Sequence, residues 1–121
     1  MTDTNNDTAY APDDLPPVVV RFLEDHTDPE SRRDIADLFA SDGRVVDEGI
    51  EYLGLEAIGG WLGKAASAYT YTTTMLGQSA EEDGRWVVWA RLEGNFPGGV
   101  ADLRYRFATK NGVIADLVIA P

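Results

Sequence analysis

The sequence has 121 residues, 44% of them hydrophobic, no cysteine, and a formal net charge of −11. That length suits one domain with one core, and the lack of thiols excludes disulfides, thiolate metal sites and cysteine nucleophiles. The acidic balance disfavours nucleic acid and anionic membranes as partners, and no apolar run approaches the ~18 residues of a membrane span. Met1-Thr2-Asp3-Thr4-Asn5 has neither the basic segment nor the apolar core of a signal peptide, so a cytoplasmic location is expected.

Residues 1–12 are polar apart from Tyr10 and read as a flexible tail, leaving 13–121 as the domain. Asp13 or Asp14 can cap a helix whose first turn holds Pro16 and Pro17. Val19, Phe22, Leu23 and His26 follow at the spacing of one helical face. Asp28-Pro29-Glu30 starts a second helix, with Asp as cap, Pro at its first position and acid against the dipole. Its buried stripe is Ile35, Leu38 and Phe39, and Asp42-Gly43 stops it. Arg44 to Asp47 and Ile50 to Leu53 read as short strands around a Glu48-Gly49 turn. Gly54 leads into a third helix with the stripe Ile58, Trp61, Leu62, Ala65, Ala66 and Tyr69. Gly59, Gly60 and Gly63 each cost that helix about 1 kcal/mol relative to Ala, and close approach to a sheet is the expected return.

Tyr69 to Leu76 is rich in β-branched and aromatic residues and reads as a strand. Asp83-Gly84 signals a hairpin, and Trp86 to Glu93 is the next strand. Asn95-Phe96-Pro97-Gly98-Gly99 reverses the chain. Val100 to Ala108 then pairs with Val113 to Ala120 through the tight Asn111-Gly112 turn. Alternation puts Leu103, Tyr105 and Phe107 on a core face and Asp102, Arg104 and Arg106 on the other. Trp86, Val88, Ala90 and Leu92 likewise oppose Val87, Trp89 and Arg91, so each face of that strand carries a tryptophan. An outer face holding Trp89, Arg91, Arg104 and Arg106 predicts a homodimer through it; a partly exposed tryptophan is the alternative.

This order of parts, with Leu38-Phe39-Ala40-Ser41-Asp42-Gly43-Arg44-Val45-Val46-Asp47, Tyr52-Leu53-Gly54-Leu55-Glu56-Ala57-Ile58, Glu93-Gly94-Asn95-Phe96-Pro97-Gly98-Gly99, Tyr105-Arg106-Phe107 and Asn111-Gly112-Val113-Ile114, resembles the SnoaL-like branch of the nuclear transport factor 2-like (NTF2-like) superfamily. The resemblance covers about residues 15–121. It implies an α+β fold, a cone-shaped curved antiparallel sheet wrapped around N-terminal helices, with an apolar pocket. It implies no single activity, because that superfamily includes isomerases, cyclases, dehydratases, epoxide hydrolases and non-catalytic binders. Ketosteroid isomerase-like members place a general-base Asp where this chain has Asp47. Their oxyanion-hole Tyr and Asp fall at Phe22 and Leu103, and their supporting tyrosines at Phe39 and Leu62. One missing donor of that kind costs roughly 3–4 kcal/mol of transition-state stabilisation, so steroid isomerisation by that route is not expected. Polyketide cyclase-like members pair a late-strand Asp with a His, and the one histidine here, His26, is on the first helix.

Asp47 is the candidate catalytic residue. In one reading it is a desolvated carboxylate in an apolar pocket that exchanges a proton; in the other it braces the Glu48-Gly49 turn. Phe22, Phe39, Tyr52, Trp61, Tyr71, Trp86, Leu103 and Tyr105 are the candidate pocket lining, or an ordinary core. Tyr105, Tyr71 and Trp61 could supply O–H or N–H donors. His26 packs at a helix end near the dipole, or shuttles a proton at the pocket mouth. Asp47, Glu48 and Glu51 are sent to opposite faces and have no histidine nearby, so no metal is expected. No glycine-rich loop precedes a helix, and no cofactor is expected. Asp102 is expected to pair with Arg104 or Arg91. The expected function is binding of a small, largely apolar molecule, with cofactor-free acid/base chemistry of isomerase, cyclase or lyase type. The alternative is a non-catalytic ligand-binding or assembly module of the same fold.

Overall fold

The computed structural model describes residues 9–26, 35–66 and 71–121, with backbone alone for 64–66. The expected helix start at Asp28-Pro29-Glu30 and the stripe positions Ala65, Ala66 and Tyr69 lie outside the described residues or side chains.

Pro12–Asp14 forms a 3-10 turn and Leu15 is extended. Helix α1 is Pro17–Asp25, with Pro16 before it at φ −55° and ψ 138° and no side-chain cap. The expected aspartate cap is therefore overturned. A proline keeps the residue before it out of the helical region, so Pro17 holds Pro16 extended and separates Asp14 from the helix. Tyr10 and Ala11, assigned to the tail, are tied down. The Ala11 N–H donates to Gln78 Oε1 at 2.8 Å, Gln78 Nε2 donates back to the Ala11 carbonyl at 3.1 Å, and Tyr10 packs against the core.

Ala36–Leu38 is a 3-10 turn, and strand β1 follows as Phe39–Asp47. The expected helix through Asp42-Gly43 is thus replaced by strand. Ile35 and Phe39 are buried, but from a turn and a strand, and Leu38 is half-buried. A stripe of three apolar residues is too short to separate the two periodicities. Gly43 does not stop a helix: a Cβ there would meet the Ala40 carbonyl oxygen at 2.9 Å, and the β1 register shifts between Phe39 and Arg44. Only glycine fits that kink.

Strand β2 is Ile50–Leu53, reached through Glu48 at φ 54° and Gly49 at φ 77°. Two left-handed residues are what a tight two-residue hairpin requires. Helix α2 is Gly54–Ala66. Strands β3 (Tyr71–Ala80), β4 (Trp86–Gly94), β5 (Val100–Lys110) and β6 (Val113–Ala120) form the expected meander. The sheet order is β2-β1-β6-β5-β4-β3. All neighbours are antiparallel except β1 and β6, which run parallel. The curved sheet is therefore mixed rather than wholly antiparallel. Helix α2 carries the chain from one sheet edge to the other, and β2 and β3 run the same way. Three further reversals then bring β6 in alongside β1.

Helices α1 and α2 cover the inner face. Phe22, Leu23, Ile58, Trp61 and Leu62 pack with Val45, Val88, Tyr105, Phe107, Leu117 and Ile119 in one core. The expected faces of β4 and β5 are observed, with Val87 buried although it belongs to the outer set. Gly59, Gly60 and Gly63 do not mediate a close approach, since a Cβ at each would meet nothing within 4 Å. Gly60 and Gly63 are exposed, on the side of α2 turned away from Ile58 and Leu62, and Gly59 is half-buried at the edge of that side. Among the described residues no helix is long and apolar enough to cross a membrane.

Candidate functional site

Register places six inner-face residues in one row across the whole sheet. Gln78 faces Val88, Val88 faces Tyr105, Tyr105 faces Ile119, Ile119 faces Asp47, and Asp47 faces Ile50. The next row is Trp86, Phe107, Leu117, Val45 and Tyr52. Side chains two residues apart on a strand share a face, so Tyr52 is the diagonal neighbour of Asp47.

Asp47 ends β1, just before the hairpin turn, and is half-buried. Trp61, on the inward stripe of α2, donates its indole N–H to Asp47 Oδ2 at 3.0 Å. The indole lies 6.1 Å from the Tyr52 ring and stacks, at 6.4 Å between centroids, on Phe22 of α1. Phe22 meets Phe39 and Phe107 edge-on and stacks on His26 at 4.6 Å. Asp47 is thus held by a ring system that begins on one helix and ends on the other.

His26 closes α1. Its Nδ1 faces the carbonyls of Phe22 and Leu23 at 2.9 and 3.2 Å, and its Nε2 lies 3.2 Å from the Tyr105 hydroxyl. Carbonyls only accept, so Nδ1 carries a proton, and in the neutral ring Nε2 accepts from the Tyr105 hydroxyl. The packing role at the helix end is observed; the link to Tyr105 is additional. Both residues are buried.

The expected lining residues do not form one group. Phe22, Phe39, Tyr52, Trp61 and Tyr105 gather around Asp47 and α1. Leu103 lies one inward position beyond Tyr105, half-buried beside Ala90. Tyr71 pairs with Gly94 at one end of the β3–β4 ladder, against Phe96, whereas Trp86 pairs with Ala80 at the other. Eight residues of strand separate those ends, roughly 26 Å. Thr73, inward on β3 opposite Leu92, was missed in the sequence; its buried Oγ1 has no hydrogen-bond partner. Among the described residues no group of three or more potential ligands stands together to hold a metal.

The outer face is cross-linked by arginines. Arg91 binds both oxygens of Asp102, Arg106 binds both of Glu81, and Arg104 lies 5.7 Å over the Trp89 ring. Asp116 accepts from Arg44 at 2.6 Å and Arg85 at 2.9 Å. Burial pushes the Asp116 carboxyl up, but the hydrogen bonds and charges of the two guanidinium groups outweigh it and hold it below the usual carboxylate range.

No protein-family model and no curated protein matches this chain. Solved structures do. A suggested polyketide cyclase from Sinorhizobium meliloti is 32% identical, with a TM-score of 0.79, over 92% of this chain and 100% of that one. A ketosteroid isomerase-like protein from Catenulispora acidiphila, solved in complex with trimethylamine, is 21% identical with a TM-score of 0.71, over 88% of this chain and 86% of that one. A suggested SnoaL-like polyketide cyclase from Shewanella putrefaciens is 13% identical with a TM-score of 0.68, over 89% of this chain and 81% of that one. The last two likenesses are of fold.

Proposed function

The chain belongs to the SnoaL-like branch of the NTF2-like superfamily, and from that premise we propose that its inner face binds a small, largely apolar molecule with Asp47 as the acid/base group. The reaction class is the one such a carboxylate serves without further machinery: proton transfer in an isomerisation, cyclisation or elimination. One observation carries the reading. Asp47 is a half-buried acid on an apolar face, held by a single indole N–H, with no cation against it among the described residues. The bond from Trp61 fixes one carboxylate oxygen and leaves the other to meet a ligand. Half-buried Met75, Leu92 and Leu103 on β3, β4 and β5 supply apolar surface for the ligand body.

The test is titration with the neutral apolar fluorophore prodan. Saturable binding at one site per chain, weakened by Leu103→Trp, is the expected result. Failure to saturate overturns the reading.

The outer face supports a second proposal, a homodimer through Trp89, Arg91, Arg104 and Arg106. Trp89 is half-buried there, and Val100, on the same face, is 54% exposed. Sedimentation should give twice the chain mass, falling to one chain mass on Trp89→Asp. An unchanged mass in the variant would place any interface elsewhere.

A further inference from the structure

We propose that the ligand held at Asp47 is a cation, an organic ammonium on an apolar body. This rests on the reading of the inner face as the ligand site and adds the ligand's chemical class.

The ion pairs of the chain carry the first part of the case. Asp25, Glu51, Glu81, Asp83, Asp102 and Asp116 each have an arginine within 3.4 Å. All of these pairs lie outside the inner face. Asp47 is half-buried among rings and aliphatic side chains, and among the described residues its one side-chain donor is neutral, the Trp61 N–H. A carboxylate removed from water gains far more from a positive partner than an exposed one does. No described residue supplies that partner, and a bound cation would.

The surroundings select for positive charge. The Tyr52 and Trp61 rings stand together beside Asp47, 6.1 Å apart and tilted by 35°. Aromatic faces attract cations and recognise substituted ammonium groups in particular. An anionic ligand would meet the Asp47 charge, and the Trp61 N–H is already spent on the carboxylate. A neutral ligand would gain only the apolar contacts. The net charge of −11 raises the local concentration of cations around the whole molecule.

Two probes of one shape separate charge from fit: benzyltrimethylammonium, and neopentylbenzene, in which carbon replaces nitrogen. Each is used to displace prodan from the unaltered chain at pH 7, in low salt and in high salt. The expected result is at least tenfold stronger displacement by the cation, a smaller preference in high salt, and loss of the preference in Asp47→Asn while prodan still binds. Equal displacement by neopentylbenzene overturns the cation assignment and leaves the pocket reading standing. Absence of saturable prodan binding overturns both. The two-probe comparison needs no variant, so it decides even where Asp47→Asn does not fold.

Discussion

Asp47 and Tyr105 face the same residue, Ile119, from opposite sides: Asp47 on the parallel neighbour of β6, Tyr105 on the antiparallel one. Two strand spacings separate their backbones, roughly 10 Å. The acid and the hydroxyl therefore share a row with one aliphatic residue between them. Each is held from a different helix, Asp47 by Trp61 of α2 and Tyr105 by His26 at the end of α1.

That buried bond to His26 has a measurable worth. Tyr105→Phe removes the hydroxyl and keeps the ring stacked near Phe107. The expected loss of stability is about 1–2 kcal/mol, read from urea unfolding. A loss within the fit error would mean that the bond contributes nothing in solution.

Asp116 gives a pH signature. Its carboxyl is held below the usual range, so its stabilisation is complete above the unfolded value of about 4 and fades as pH falls through the lower, folded value. Asp116→Asn should cost about 1–2 kcal/mol at pH 7, discounted for the half-exposed arginines. The gap between the two proteins should narrow below about pH 4. A gap that stays constant down to pH 2 would remove Asp116 from the acid response.

Gly60 is exposed on α2 with open space where a Cβ would stand. Gly60→Ala should raise stability by about 0.5–1 kcal/mol through helix propensity. A fall in melting temperature would reveal a partner for this helix face.

Glu48 holds a left-handed conformation at φ 54°, while the equivalent residue of the β5–β6 hairpin, also at φ 54°, is Asn111. Asparagine tolerates that region and glutamate does not. Glu48→Asn should therefore stabilise by about 0.5–1 kcal/mol. Gly49→Ala, at φ 77°, should destabilise by about 1–2 kcal/mol. Thermal unfolding of both variants checks the turn.

Local signals made much of this fold legible. Asn111-Gly112 marked its hairpin, strict alternation marked the faces of β4 and β5, and the partner of Asp102 could be narrowed to Arg104 or Arg91, of which the cross-strand Arg91 is observed. The start of β1 was not legible, since Ile35, Leu38 and Phe39 fit a helix and a turn-plus-strand equally well. Nor was the sharing of Ile119, which depends on a parallel pairing of segments about 70 residues apart. The His26–Tyr105 bond spans 79 positions and the Arg44–Asp116 bond 72. No periodicity reports contacts at such range. Asp47 stood out as an acid on an apolar strand, but its bond to Trp61 required knowing which way α2 is turned.

The position of β6 has a consequence for how the molecule is made. Among the described residues it is the sixth strand in sequence and the third in the sheet, between β1 and β5. On a ribosome, β1 and β2 emerge early, yet β1 has no second neighbour until β6 has been synthesised. The Asp47 side of the row and the Tyr105 side are joined only then. Closing so long a loop is slow relative to local hairpins. The nascent chain must hold the apolar residues of α1, α2 and β1 without a finished sheet until β6 slots in. Folding defects should therefore concentrate in substitutions at Leu117 and Ile119, the residues that close the core from both sides.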